Sequence, residues 1–204
     1  MSNIVRLFIF KTLFCVSAIF LIVNTALADE APPQFYDLPP SVQTIANKLA
    51  ATAGRLDIEF AEMNVPYSNA FSFEYDGYKV AITTGYLLYS IHETGDYRFA
   101  IGTLAHEIGH IVLGHTKQGY SNNEKANRND ERAADYYGIE LMWKAGYDCA
   151  YDVQDWAALV REHPMDSTRE SSTHPASQER LDSSIKMCNS LKAGNGVPTD
   201  MYFE

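Results

Sequence analysis

The tightest constraint on this chain is His106-Glu107-Ile108-Gly109-His110, followed one polar stretch later by Glu131-Arg132-Ala133-Ala134-Asp135. On a helix, residues four apart lie one turn apart on the same face, so two imidazoles at this spacing can grip one cation. Glu107 is displaced by one position. It leans beside such an ion without having to ligate it, and can take a proton from a water held there. Ile108, Ile111 and Val112 flank the motif, and burying imidazole and carboxylate groups among apolar neighbours is costly unless they are partnered.

A catalytic zinc takes three protein ligands and leaves one position open. A third histidine in the register HExxHxxGxxH is excluded: Leu113 and Thr116 occupy the required positions, and Gly114 and His115 each miss by one. His115 is therefore read as a polar residue near a helix C-terminus. Glu131, on the next helix, is the candidate third ligand. Asp135 lies one turn on, where it can accept a hydrogen bond from the free ring nitrogen of a ligand histidine. The small Ala133 and Ala134 let two helices approach. The competing reading of Glu131 is a solvated acid in a first helical turn, where the helix dipole favours it.

Around this centre the sequence predicts an α+β domain, with a small antiparallel sheet packed on a mainly helical body. Ser41 is a plausible N-cap for a helix ending near Gly54, with Val42, Ile45, Ala46 and Leu49 at helical spacing. Leu56, Ile58 and Phe60 alternate as in a strand. Phe71, Phe73 and Tyr75 alternate again, and Asp76-Gly77 before Tyr78, Val80 and Ile82 marks a hairpin. Helices are predicted over 97–115, from Asn129 or Asp130 to about Ala145, over 152–162, and from Pro175 to about Leu191. The stretch 116–130 reads as a loop, and Pro175 as a first-turn proline.

Arg6 and Lys11 precede an apolar run, Leu13 to Val23, and Ala26-Leu27-Ala28 closes it. This is the layout of a cleaved secretory signal over 1–28; the alternative is an uncleaved anchor, for which the run is short. A lead-in over 29–40, a catalytic domain over 41–192 and a tail over 193–204 complete the expected organisation. Removing two cations and no acid moves the formal charge from −10 to −12. Such a surface repels nucleic acid and anionic lipid. Of three cysteines, Cys15 leaves with the signal, so Cys149 and Cys188 are expected to pair in an oxidising compartment; two buried free thiols are the alternative.

Together these motifs resemble the HtpX-like family of zinc metallopeptidases, which includes the BepA and LoiP types. The family pattern HExxH then ExxAD reads HEIGH at 106–110 and ERAAD at 131–135. Asn69-Ala70-Phe71, Ile82-Thr83-Thr84-Gly85 with Leu87, and Thr173-His174-Pro175 with Glu179-Arg180 also resemble family segments, so the likeness runs from about 40 to 190. It implies a zincin-like fold, one zinc per chain held by His106, His110 and Glu131, and endopeptidase activity with Glu107 as the base. It also implies unfolded or misassembled envelope proteins as substrates, a periplasmic location, and possible envelope assembly machinery as partners.

His174 matches a family histidine near the zinc, a movable fourth ligand or a transition-state group; a plain loop histidine is the alternative. Arg180 either bridges to Asp135, braces the His174 loop, or is solvated. The transmembrane helices of the HtpX type and the tetratricopeptide tail of the BepA type have no counterpart in the sequence, so a minimal soluble form is expected. The rival function is a zinc-stabilised chaperone that binds clients without cutting them.

Overall fold

A computed structural model describes residues 33–117, 122–165 and 167–198; the expected signal segment and the end of the tail lie outside these. The chain runs β1 (Phe35–Tyr36), α1 (Pro40–Thr52), β2 (Ile58–Met63), β3 (Ala70–Glu74), β4 (Tyr78–Thr83), α2 (Thr84–Thr94), α3 (Arg98–Val112), α4 (Glu124–Lys144), α5 (Ala150–Glu162) and α6 (Ser177–Lys192). A short 3₁₀ turn, His115–Lys117, follows α3. The architecture is α+β. No helix among the described residues is long and apolar enough to cross a membrane.

The sheet order is β1-β2-β4-β3. β3 and β4 form the antiparallel hairpin, and both Asp76 (φ 47°) and Gly77 (φ 101°) take the left-handed backbone that a two-residue turn requires. The sheet is mixed, however, not antiparallel as expected, because β2 pairs with β4 in parallel, Ile58 opposite Tyr78. The connection after β2 contains Pro66 and is too long for a tight hairpin. It carries the chain past β4, so that β4 returns between β2 and β3. Alternation identifies a strand but says nothing of which neighbour it takes. Residues 35–38 of the expected lead-in are held in the fold: β1 pairs with the end of β2, Phe35 opposite Met63, and Leu38 is buried.

α3 is the central helix. Phe99, Leu104, Ile108 and Ile111 pack against Val42 and Leu49 of α1, Val80 and Ile82 of β4, and Leu141 and Met142 of α4 in one core. α1 starts two residues earlier than expected, with Pro39 at the N-cap and Pro40 inside the first turn, a position where the missing N–H is no loss. Ser41 is no cap. α2 has no counterpart in the sequence reading. Its start is fixed by Thr83, whose Oγ1 accepts from Tyr86 N at 3.2 Å and donates to Tyr67 O at 2.7 Å. Asn69 N donates to the same oxygen at 2.9 Å, which ties the loop before β3 to the β4–α2 junction. On α2, Tyr86 donates its hydroxyl to Asp155 of α5 and accepts from Thr103 of α3 at 2.6 Å. Burial pushes the Asp155 carboxyl up to about 7.

Cys149 and Cys188 form a disulfide that joins the start of α5 to α6, in a second small core with Tyr136, Ile139, Met187 and Leu191. The bridge spans 39 residues. Closing a loop of that size stabilises by roughly 3–4 kcal/mol in the chain-entropy account. Replacing both cysteines with alanine is therefore expected to lower the melting temperature by about 6–16 °C. A calorimetric scan showing no change would refute a structural role for the bridge.

Candidate metal centre

The site forms where α3 crosses α4. The two helices touch almost at backbone contact because glycines sit at the crossing. A Cβ on Gly138 would lie 2.9 Å from the His106 backbone N, and one on Gly109 would lie 3.1 Å from Ala134 O. Ala134 is fully buried in this contact, while Ala133, also expected there, is only half-buried. α4 begins at Glu124, with the Asn123 side chain accepting from Ala126 N, well before the expected cap at Asn129 or Asp130. Glu131 thus lies in the helix interior, not in a solvated first turn. It is 2% exposed.

His106 Nε2 and His110 Nε2 are 3.0 Å apart. Glu131 Oε2 lies 3.4 Å from the first and Oε1 3.5 Å from the second. A tetrahedral zinc with bonds of about 2.0–2.1 Å spaces its ligand atoms about 3.4 Å apart, so this donor set fits such an ion. Glu131 Oε2 is buried and accepts no hydrogen bond, although buried carboxylate oxygens are nearly always satisfied. A cation among the three side chains would satisfy it. These residues form a group able to hold a metal.

The outer partners are different for the two rings. His106 Nδ1 is 2.9 Å from Asp135 Oδ1. Arg180 of α6 grips Asp135 twice, Nε to Oδ2 at 2.7 Å and Nη2 to Oδ1 at 2.5 Å, and stacks 4.0 Å over the Trp156 ring. The bridge to Asp135 is thus the arrangement found for Arg180. His110 Nδ1 lies 3.0 Å from Nδ1 of His115, a residue to which the sequence reading gave no part in the site.

Charge is concentrated here. Burial pushes the His106 imidazole down, but the hydrogen bond with Asp135 and the negative charges of Asp135 and Glu131 outweigh that and hold it up at about 10. Burial, then the charge of His106, presses His110 down to about 3. Burial favours the neutral form of Glu131, yet His106 and Arg180 hold it down at about 2. Asp135 is held well below the usual carboxylate range against its own burial, by Arg180 and His106. Two carboxylates therefore stay ionised around a centre that calls for positive charge. A metal ion bound there would supply it, and its binding would displace protons from the ligand atoms.

Glu107 is buried, which pushes its carboxyl up, and it hydrogen-bonds Ser72 of β3. β3 is an end strand of the sheet. His174 stands beside the group, with Nε2 3.6 Å from Glu131 Oε2 and its side chain 47% exposed. It precedes α6 on a loop whose Ser171 accepts from His174 N at 2.8 Å and which Arg128 of α4 holds through Ser171 O at 3.1 Å. Pro175 lies before the N-cap of α6, Ala176, not within its first turn. His92 and His163 are exposed and are not members of the group.

A family model described as Peptidase family M48 matches residues 38–125, and one described as Peptidase U49 matches residues 100–196. The two overlap on the helix that carries His106 and His110, and together they span the described domain. No curated protein matches the chain. With the HEIGH and ERAAD side chains converging as described, the two matches support a metallopeptidase of the M48, HtpX-like type.

Proposed function

We propose that this protein is a zinc-dependent endopeptidase acting on unfolded or misassembled envelope proteins, secreted across the inner membrane to the periplasm. One observation carries the reading: one ligand atom from each of His106, His110 and Glu131 lies within 4.8 Å of the others, beside a buried carboxylate, Glu107, that has no place in the donor set. The disulfide is compatible with an oxidising compartment outside the cytoplasm.

In this reading His106, His110 and Glu131 hold the zinc, and Asp135 and Arg180 fix the His106 ring. Zinc, when bound, supplies a Lewis acid that polarises the scissile carbonyl and lowers the pKa of water. Glu107 takes the proton of the attacking water and delivers it to the leaving amine; its raised pKa suits both directions of transfer. The Ser72 contact ties this base to β3, along which an extended peptide can add as a further strand through backbone hydrogen bonds. Recognition of that kind tolerates sequence and selects unfolded segments. His174 is poised either to steady the oxyanion or to swing onto the metal as a fourth ligand.

The test is a digest of unfolded casein by the zinc-loaded protein. Internal cleavage is expected, abolished by a chelator and restored by zinc. A zinc-loaded protein that binds casein and leaves it intact would assign the chain to the rival chaperone role.

A further inference from the structure

We propose that His115 is a positioning residue for His110: its Nδ1 accepts the Nδ1–H of His110 and so fixes His110 with Nε2 bare toward the metal. This rests on the reading of His110 as a zinc ligand.

The sequence places His115 five residues after His110, off the helix face that carries the ligands. The structure brings it back. α3 ends at Val112, Leu113 N bonds Gly109 O at 2.9 Å, and Gly114 takes φ +81°. Glycine adopts that left-handed backbone without strain, and it turns the chain across the helix end. Lys117 N then closes a short turn on Gly114 O at 3.3 Å, and the His115 ring packs edge-on to His110, centroids 5.1 Å apart at 69°.

Two ring nitrogens 3.0 Å apart cannot both carry hydrogen, nor both be bare; one donates and one accepts. A ligand His110 must present a lone pair at Nε2, so in its neutral form the proton sits on Nδ1. His115 Nδ1 is then the acceptor, and its own proton sits on Nε2. That nitrogen faces Asp130 Oδ1 at 3.6 Å, the group expected to favour this tautomer. Every position along Asp130, His115 and His110 is thus consistent with one tautomer assignment. The two ligand rings are held unequally. A buried carboxylate gripped by Arg180 holds His106, whereas a neutral ring backed by a carboxylate that is 49% exposed holds His110.

The experiment measures zinc affinity of the whole protein by chelator competition for the unaltered chain, His115→Phe and His115→Asn. Phenylalanine keeps the ring and removes the acceptor; asparagine restores an acceptor oxygen near the place of Nδ1. His115→Phe is expected to weaken zinc binding about 10- to 100-fold, and His115→Asn to recover most of the loss. Phe binding as tightly as the unaltered chain, or Asn binding as weakly as Phe, overturns the proposal. An unaltered chain that fails to bind zinc overturns the ligand reading itself. If the variants do not fold, ¹⁵N-histidine spectra of the zinc-loaded unaltered protein decide: a proton on His110 Nδ1 and none on His115 Nδ1 is expected, and the reverse overturns it.

Discussion

Glu107→Gln is expected to lower casein turnover by about 10²- to 10⁴-fold, the range that a positioned acid–base group contributes, with zinc content unchanged. The reason for the separation lies in the geometry. Glu107 is buried beside the donor group but supplies none of its atoms, so the amide is expected to remove the proposed base and to leave the proposed ligands in place. Glutamine has the same shape and can still bond Ser72, so the helix should not rearrange around it. Parallel measurement of turnover and bound zinc checks this. Turnover within a few-fold of the unaltered protein would remove Glu107 from the chemistry, and loss of zinc along with activity would make its role structural.

The second large effect is on the metal. Glu131→Gln is expected to weaken zinc binding on the order of 10²- to 10³-fold. That follows if each of four ligands carries roughly a quarter of the ~10–16 kcal/mol typical of protein zinc sites, discounted because the amide oxygen remains a weak donor. The variant also removes one of two ionised carboxylates facing His106, so the centre attracts positive charge less strongly. Zinc should then raise the melting temperature of the variant far less than that of the unaltered protein, since stabilisation by a ligand scales with its occupancy. Chelator competition with calorimetry measures both. Equal affinity in variant and parent would place the third ligand elsewhere.

The convergence of His106, His110 and Glu131 was legible in the sequence because its information is local. Helical period alone puts His106 and His110 on one face, and the ERAAD segment needed only to lie on an adjacent helix. The position of Glu131 within that helix was not legible. The Asn-rich run before it has poor helix propensity and reads as a loop, yet α4 extends through it from Glu124. Tertiary ties override the propensity there: Arg128 reaches Ser171 and Glu170, and Arg132 reaches Glu179 at 2.5 Å. His115 was missed for a related reason. Register excludes it as a third ligand, and no sequence period describes a contact made across a helix end after Gly114. Gly114 itself was the available signal, since a glycine just past a helix turns the chain.

Arg180 had three readings from sequence, and only its distance to Asp135 separates them. Ser72, the partner of Glu107, carries no motif at all. Strand order was illegible because alternation in β2 and β4 fixes their faces and leaves their relative direction to the connection.

The central claim is that His106, His110 and Glu131 share one zinc ion. Anomalous diffraction at the zinc edge from crystals of the zinc-loaded protein tests it most directly. One strong peak per chain is expected, about 2.0–2.2 Å from Nε2 of both histidines and from a Glu131 oxygen. A zinc peak elsewhere, or one at the histidine pair with the Glu131 carboxylate turned away from it, would contradict the account.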